Sequence, residues 1–407
     1  MEIKSDNQCK IKDHLNILIL ADMHWGAIDP DEFTEQLKAG LFKYINELYR
    51  RNEELDYIFI AGDLFDTKET FSSLVVRNVI NFMANLMYRT EGWGTFIYIL
   101  EGTRTHDNLQ LTNLAYAANS FYGYERINVI DRVTAIRTFE GDSSILLVPE
   151  EYIPDQDEYY GKYFADDCQY DIIIGHGMVD KIWYAKKDKD SQTTLTKHMS
   201  APVFKVDDLL DHCKKCYFGH VHMNKTYGDS GRFAYIGPYT NWEFGKSTKV
   251  GFYHVKIDLN TREVTDTYIE NTMAKNYPTT AVKIIENMSL TDLNDMIDTA
   301  IANVYAQVNN IGKLRVVVTL SQSVETWQAM KDFLISKLGD MPNVKFILQI
   351  EEKHVGDEYI DEDGELDESK VYLFDHSIEI SKRIQTYIKN KSGRDISIET
   401  IEKYLKG

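Results

Sequence analysis

Residues 16–26 read NILILADMHWG. Asn16 to Ala21 is a short, continuous apolar run closed by turn residues, the pattern of a strand buried on both faces. Asp22 and His24 follow at once, two positions apart, so in extended backbone both side chains project the same way and can reach one centre. Gly26 lies beside them, and a missing Cβ lets backbone pass close to a metal or a phosphate. A strand that delivers a carboxylate and an imidazole at its carboxyl end is the unit from which the rest of the chain is read.

Working outward, that unit returns four times. Tyr57 to Ala61 leads into Gly62-Asp63-Leu64-Phe65-Asp66, and Thr95 to Leu100 leads into Gly102-Thr103-Arg104-Thr105-His106-Asp107. Asp171 to Ile174 precedes Gly175-His176-Gly177, and Lys215 to Phe218 precedes Gly219-His220-Val221-His222. Further strand-like runs are Ser144 to Val148, Phe233 to Gly237 and Val250 to Ile257. Between the early strands, Phe33, Leu37, Leu41 and Ile45, and then Val75, Val79, Phe82 and Leu86, fall at helical spacing. The fold class is α/β, with layered sheets and helices.

From about Tyr277 the pattern restarts as strand 281–285, helix 290–304, strand 314–320, helix 324–338 and strand 344–350, a block the size of a small separate domain. Residues 351–370 hold ten Asp/Glu against two Lys, the composition of a solvated linker. Residues 376–407 carry seven Lys/Arg against four Asp/Glu and two apolar stripes. One stripe is Ile380, Ile384, Tyr387 and Ile388, the other Ile398, Ile401 and Leu405, with Ser392-Gly393 between them. Two short amphipathic helices need a surface to bury such stripes, and docking on the protein's own body or on a partner are both open. The expected division is 1–274, 275–350, an acidic linker 351–375 and a helical segment 376–407.

The 407 residues include 45 Lys+Arg and 64 Asp+Glu, a net charge of −19 that disfavours binding nucleic acid by broad electrostatics alone. At 43% apolar residues the chain can bury a sizeable core. Four scattered cysteines, with neither a signal-peptide h-region nor a membrane-length apolar run, point to a reducing cytoplasm and no membrane.

Side chains at the carboxyl ends of neighbouring strands in an open α/β sheet converge on one crevice. Mixed carboxylate and imidazole suit manganese, iron or zinc, whereas a calcium cage uses oxygen alone. A single histidine after a strand is more often a packed or surface residue; five Asp/His-bearing turns together point to a metal site. Arg104 reads either as a phosphate clamp or as a solvated loop residue. Cys213-Lys-Lys-Cys216 with His212 resembles half a zinc site but lacks a second Cys pair, so reduced thiols are the better reading. Residues 186–205, with five Lys and two Asp, suit a DNA backbone contact or an exposed loop.

These motifs resemble the calcineurin-like metallophosphoesterases, whose signature runs D-x-H, G-D, G-N-H-D, G-H and G-H-x-H. Within that superfamily the chain is similar to the SbcD-type DNA repair and recombination nucleases, in a phage-like version. The likeness rests on ILADMHWG (19–26), AGDLFD (61–66), Gly175 to Gly177, Phe218 to His222, IGPYTNWEFG (236–245) and the domain order. It implies an α-β-β-α sandwich with a small α/β capping domain and C-terminal helices. It implies two divalent ions, manganese first, with magnesium or iron as alternatives. One would be held by Asp22, His24, Asp63 and His222, the other by Asp63, His176 and His220. His106 is similar to the family's catalytic histidine, and Asp107 is expected as its supporting partner. The chain departs from the family in having Thr105 where the Asn ligand belongs, and Asp66 where related nucleases often carry a catalytic histidine. The implied function is exonuclease and structure-related endonuclease action on DNA, as a homodimer with an SbcC-like coiled-coil ABC ATPase docked on 376–407. A phosphomonoesterase or protein phosphatase of the same superfamily and a non-catalytic scaffold remain alternatives.

Overall fold

The computed structural model describes residues 12–181 and 202–350, apart from 71, 108–109, 123–124, 139–142, 154, 166, 229–230, 246–248, 285–287, 321–326, 340 and 342, together with scattered positions between 381 and 401. It is a mixed α/β structure with several sheets and helices. Two compact units are distinguished, one of Met1–Pro278 with Tyr305–Leu314 and one of Thr279–Val304 with Arg315–Gly407.

In the first unit, one six-stranded sheet contains β1 (His14–Leu20), β2 (Tyr57–Ala61), β3 (Phe96–Leu100) and β4 (Ile127–Ile130) in parallel succession. A second is built on β5 (Thr134–Arg137), β6 (Ser144–Val148) and β7 (Tyr170–His176). After the short β8 (Met178–Val179) and β9 (Val203–Phe204), it is completed by β10 (Cys213–Gly219), β11 (Lys225–Tyr227) and β12 (Phe233–Tyr235). The chain then returns to the first sheet with β13 (Gly251–Asp258), antiparallel to β1, and β14 (Val264–Glu270). Every residue of β2 and of β7 is buried, as continuous apolar runs of parallel strands require. The β14 sequence instead alternates in exposure, the mark of an edge strand with one wet face.

The helices that cover the first sheet start at explicit signals. In α1 (Pro30–Leu37), the Asp29 carboxylate accepts from the Asp31 and Glu32 amides, and Pro30 sits where no amide hydrogen is needed. A π-helical turn, Lys38–Phe42, joins it to α2 (Lys43–Arg50), so the single stripe Phe33, Leu37, Leu41, Ile45 runs across three segments and is buried throughout. In α3 (Leu74–Arg89), Ser73 caps the Val76 amide, and Val79, Phe82 and Leu86 are buried. One core cluster joins these helices to β1, β2 and β3 through residues such as Leu18, Ile58 and Ile97. A second takes Ile17, Ile19 and Phe59 from the first sheet with Ile145, Ile172 and Ile174 from the other. Each such side chain contributes roughly 1.5–3 kcal/mol by leaving water.

His254 on β13 is buried, with the Tyr44 hydroxyl donating to Nδ1 at 2.7 Å. Burial, with Lys256 beside it, lowers its pKa to about 4. The unfolded chain therefore binds a proton here below about pH 6.5 that the folded chain refuses until about pH 4, and stability falls as pH drops through that window. The expected loss is on the order of 2 kcal/mol between pH 7 and pH 4. Chemical denaturation of the wild type and His254→Gln across that range checks it: the variant should show a flatter profile, and superimposable profiles would remove His254 as the cause.

The second unit carries a three-stranded sheet of β15 (Thr279–Ile284), β16 (Leu314–Leu320) and β17 (Val344–Ile350), with β15 parallel to β16. Helix α4 (Leu290–Gln307) buries Leu293 and Ile297, and Lys337 on α5 (Trp327–Leu338) reaches Asp298 at 2.7 Å. The acidic linker 351–375 lies outside the described residues, as do 186–201 of the lysine-bearing segment and Ile380, Tyr387, Ile388 and Leu405 of the two stripes. No helix among the described residues is long and apolar enough to cross a membrane.

Candidate metal centre

Strand register sets the site. Leu20 pairs with Ile60 and Ala61 with Leu100, so the turns after β1, β2 and β3 leave the first sheet at one level. In the second sheet, Gly175 pairs with Val148 and His176 with Gly219. The turns keep pairing beyond the strands, with the Asp22 amide donating to Gly62 O at 3.1 Å and the His24 amide to Asp63 O at 3.0 Å. The two sheets are tied by His176 Nδ1, which donates to the Ala61 carbonyl at 2.8 Å, and by the His220 amide, which donates to Asp22 Oδ1 at 2.8 Å.

Backbone strain gathers at these turns. Asp22, His24, Asp63 and His220 all have positive φ, at 47°, 43°, 50° and 90°, which L-residues adopt only when their surroundings fix them. Gly62 and Gly102 make the close approach possible, because a Cβ on the first would overlap the His176 ring and one on the second would overlap Asp63.

The predicted ligands come together as two overlapping groups. Asp22, His24, Asp63 and His222 form one and Asp63, His176 and His220 the other, each with its ligating atoms within 4.8 Å of one another. Asp63 belongs to both. His222 Nδ1 donates to Glu243 Oε1 at 2.6 Å, which leaves Nε2 facing His24 Nε2 at 3.0 Å. His176 is held by the Ala61 carbonyl in the same way, so its Nε2 faces Asp63 Oδ2 at 3.3 Å. His176 Nε2 and Asp22 Oδ2 are buried without a hydrogen bond, and such costly orphans fit a site built to hold cations. Trp242 lies over both His24 and His222, with ring centroids 4.5 and 5.0 Å away.

The electrostatics agree with the geometry. Burial alone would raise the Asp63 carboxyl, but the imidazoles of His176, His24 and His106 outweigh it and hold Asp63 well below the usual carboxylate range. Burial alone would likewise lower His176, and the carboxylates of Asp63, Glu150 and Asp22 hold it well above its ordinary value. A field of this sign favours positive charge at the centre.

His106 is half-buried, with its ring edge-on to His24 at 4.8 Å and its Nδ1 donating to the Asp66 backbone carbonyl. The Asp66 carboxylate lies 3.4 Å from His24 Nδ1. Two expectations are corrected here. Asp107 does not support His106: its Oδ1 accepts from the Leu64 and Phe65 amides and its Oδ2 from the Gly102 amide, pinning the β2 turn to the β3 turn. Burial, with the Asp63 charge nearby, pushes its pKa up to about 7. Thr105 is exposed, and Thr103 stands at the expected ligand position, its amide donating to Asp63 Oδ1 at 2.6 Å and its hydroxyl to Oδ2 at 3.2 Å. The two extra residues of the turn, Arg104 and Thr105, are accommodated on its exposed side. Arg104 places its guanidinium 4.4 Å over the Tyr152 ring, at a cavity of about 340 Å³ that Glu150 and Asp131 also line. Finally, His212 donates to the Cys168 carbonyl at 3.0 Å, and Cys213 and Cys216 are free thiols buried in the core.

Glu150, two residues beyond β6, was missed by the reading of Asp/His turns, which passed over a strand followed by Pro149-Glu150-Glu151. It is buried against His176 and His220.

No protein family profile and no curated protein matches the chain. Among solved structures, it is similar to TT1561 of Thermus thermophilus, at 14% identity over 63% of this chain and 99% of that one, with a TM-score of 0.33. It is also similar to the phosphopantetheinyl hydrolase PptH from Mycobacterium tuberculosis, at 10% identity over 55% and 89% of the two chains, with a TM-score of 0.29.

Proposed function

We propose that the chain is a metal-dependent phosphodiesterase of the calcineurin-like kind, with layered α-β-β-α sheets and helices, that cuts DNA at ends and irregular structures. The observation that carries the reading is the sharing of Asp63 between two ligand groups that meet at the carboxyl ends of strands from both sheets. The chemistry that two divalent ions supply at such a place is Lewis-acid activation of a phosphate ester and of attacking water. Asp22, His24, Asp63 and His222 would hold one ion and Asp63, His176 and His220 the other. Glu243 and the Ala61 carbonyl fix the ring orientations of His222 and His176. His106, whose Nδ1–H is held by the Asp66 carbonyl, would present Nε2 and, when that nitrogen carries a proton, pass it to the departing oxygen. Trp242 packs against the imidazoles of both His24 and His222. The SbcD-like domain order extends the proposal to a homodimer, with residues 275–350 as a capping domain and 376–407 docked on an SbcC-like ATPase in the cytoplasm.

The test is to supply manganese or magnesium to the purified protein with end-labelled linear duplex DNA, and p-nitrophenyl phosphate in parallel. Shortening of the DNA that a chelator stops is the expected result. Turnover of the monoester alone would replace the reading with a phosphomonoesterase, and turnover of neither would leave a scaffold.

A further inference from the structure

The second ligand group is incomplete with Thr103 where an amide oxygen is expected, since Asp63, His176 and His220 supply three side chains. A fourth group reaches the same space from β6. Glu150 Oε2 lies 3.1 Å from His220 Nδ1, 3.5 Å from His176 Nε2 and 3.4 Å from the Thr103 hydroxyl. The neighbouring edges match: His176 Nε2 to Asp63 Oδ2 is 3.3 Å and Thr103 Oγ1 to Asp63 Oδ2 is 3.2 Å. Groups that share one cation at about 2.1 Å stand roughly 3.0–3.4 Å apart, so these spacings are those of a coordination shell.

Glu150 is also built in rather than incidental. Its side chain is fully buried, its amide donates to the Glu101 carbonyl at 3.0 Å, and its Oε1 accepts from the Tyr152 hydroxyl at 2.6 Å. That bond fixes the carboxylate plane and turns Oε2 inward. His176 Nε2, buried and without a hydrogen bond, faces the same point.

We infer that Glu150 is a ligand of the second metal ion, a carboxylate supplied by the other sheet in place of the absent amide side chain. The inference rests on the two-ion reading above. It changes the character of the centre: a neutral ligand is exchanged for an anionic one, which strengthens the hold on a hard cation such as manganese or magnesium.

The test is manganese binding to the metal-stripped full-length chain, followed by calorimetry and by electron paramagnetic resonance, with no substrate present. The wild type should take up two ions with an exchange-coupled signal. Glu150→Gln, which keeps the shape and can still bond Tyr152, should keep one ion, weaken the second by roughly 100-fold or more and lose the coupled signal. Two ions of unchanged affinity in the variant would overturn the assignment of Glu150 and leave the two-ion centre standing. A wild type that binds no manganese would sink the two-ion reading itself. Should Glu150→Gln fail to fold, Glu150→Asp withdraws the carboxylate by one methylene and reads the same quantity: a weakened second ion supports the assignment, and an unchanged one overturns it.

Discussion

Replacing Asp63 by asparagine is expected to remove both metal ions and to lower phosphodiester hydrolysis by a factor on the order of 10³ or more, since a metal pair supplies several kcal/mol and each 1.36 kcal/mol is tenfold. Asparagine is the informative choice because it keeps the size and tolerates the left-handed backbone at this position, where φ is 50°. Its amide oxygen can still accept from the Thr103 amide and its NH2 group can donate to the Thr103 hydroxyl oxygen, two groups that now bond the carboxylate at 2.6 and 3.2 Å. What it removes is the negative charge between His24 and His176. Metal content after dialysis and the rate on linear DNA are the measurements. A variant with two ions and a rate within tenfold of the wild type would show that Asp63 is not shared between them.

The second large effect is expected from His106→Gln, a fall of roughly 10²–10⁴-fold in turnover with both ions retained. Unlike Asp63, His106 is anchored to a backbone carbonyl, that of Asp66, and stands edge-on to the His24 ring, outside the two groups that share Asp63. A group that donates a proton to the leaving oxygen matters less when that oxygen leaves readily. The loss should therefore shrink to within about tenfold on bis(p-nitrophenyl) phosphate, whose phenolate departs without a proton. An equal loss on both substrates would reassign His106 from proton donor to a role in holding the phosphate.

The parts of the site that the sequence discloses are those where side-chain chemistry and strand position coincide. Asp22, His24, Asp63, His176, His220 and His222 each follow an apolar run, and parallel pairing in register brings such residues level. Three details depend on geometry that motif spacing does not carry. Counting back from His106 selects Thr105, whereas the chain is fixed at Gly102, against Asp63, and the residue after it is the one that stays in contact. Asp107 adjoins His106 in sequence, but neighbours on a tight turn point apart, and its carboxylate is taken up by three backbone amides. Glu150 belongs to no histidine motif, and its role emerges only when β6 is seen beside β7. In the fold, the helical spacing of Phe33 to Ile45 gives the buried face correctly but conceals the π-helical turn between α1 and α2, because a continuous stripe does not report its hydrogen-bond pattern.

The antiparallel pairing of β1 with β13 has a bearing on biosynthesis. Ile17 must wait for Val255, about 240 residues downstream, before that edge of β1 is covered. At synthesis rates of roughly 5–20 residues per second, an apolar strand spends on the order of 10–50 s with one row of amides and carbonyls unclaimed. During that interval β1 is a template for any other extended segment, including the β1 of a neighbouring nascent chain. Overproduction at lowered temperature with chaperones, rather than a stronger promoter, is the expression strategy that this topology recommends.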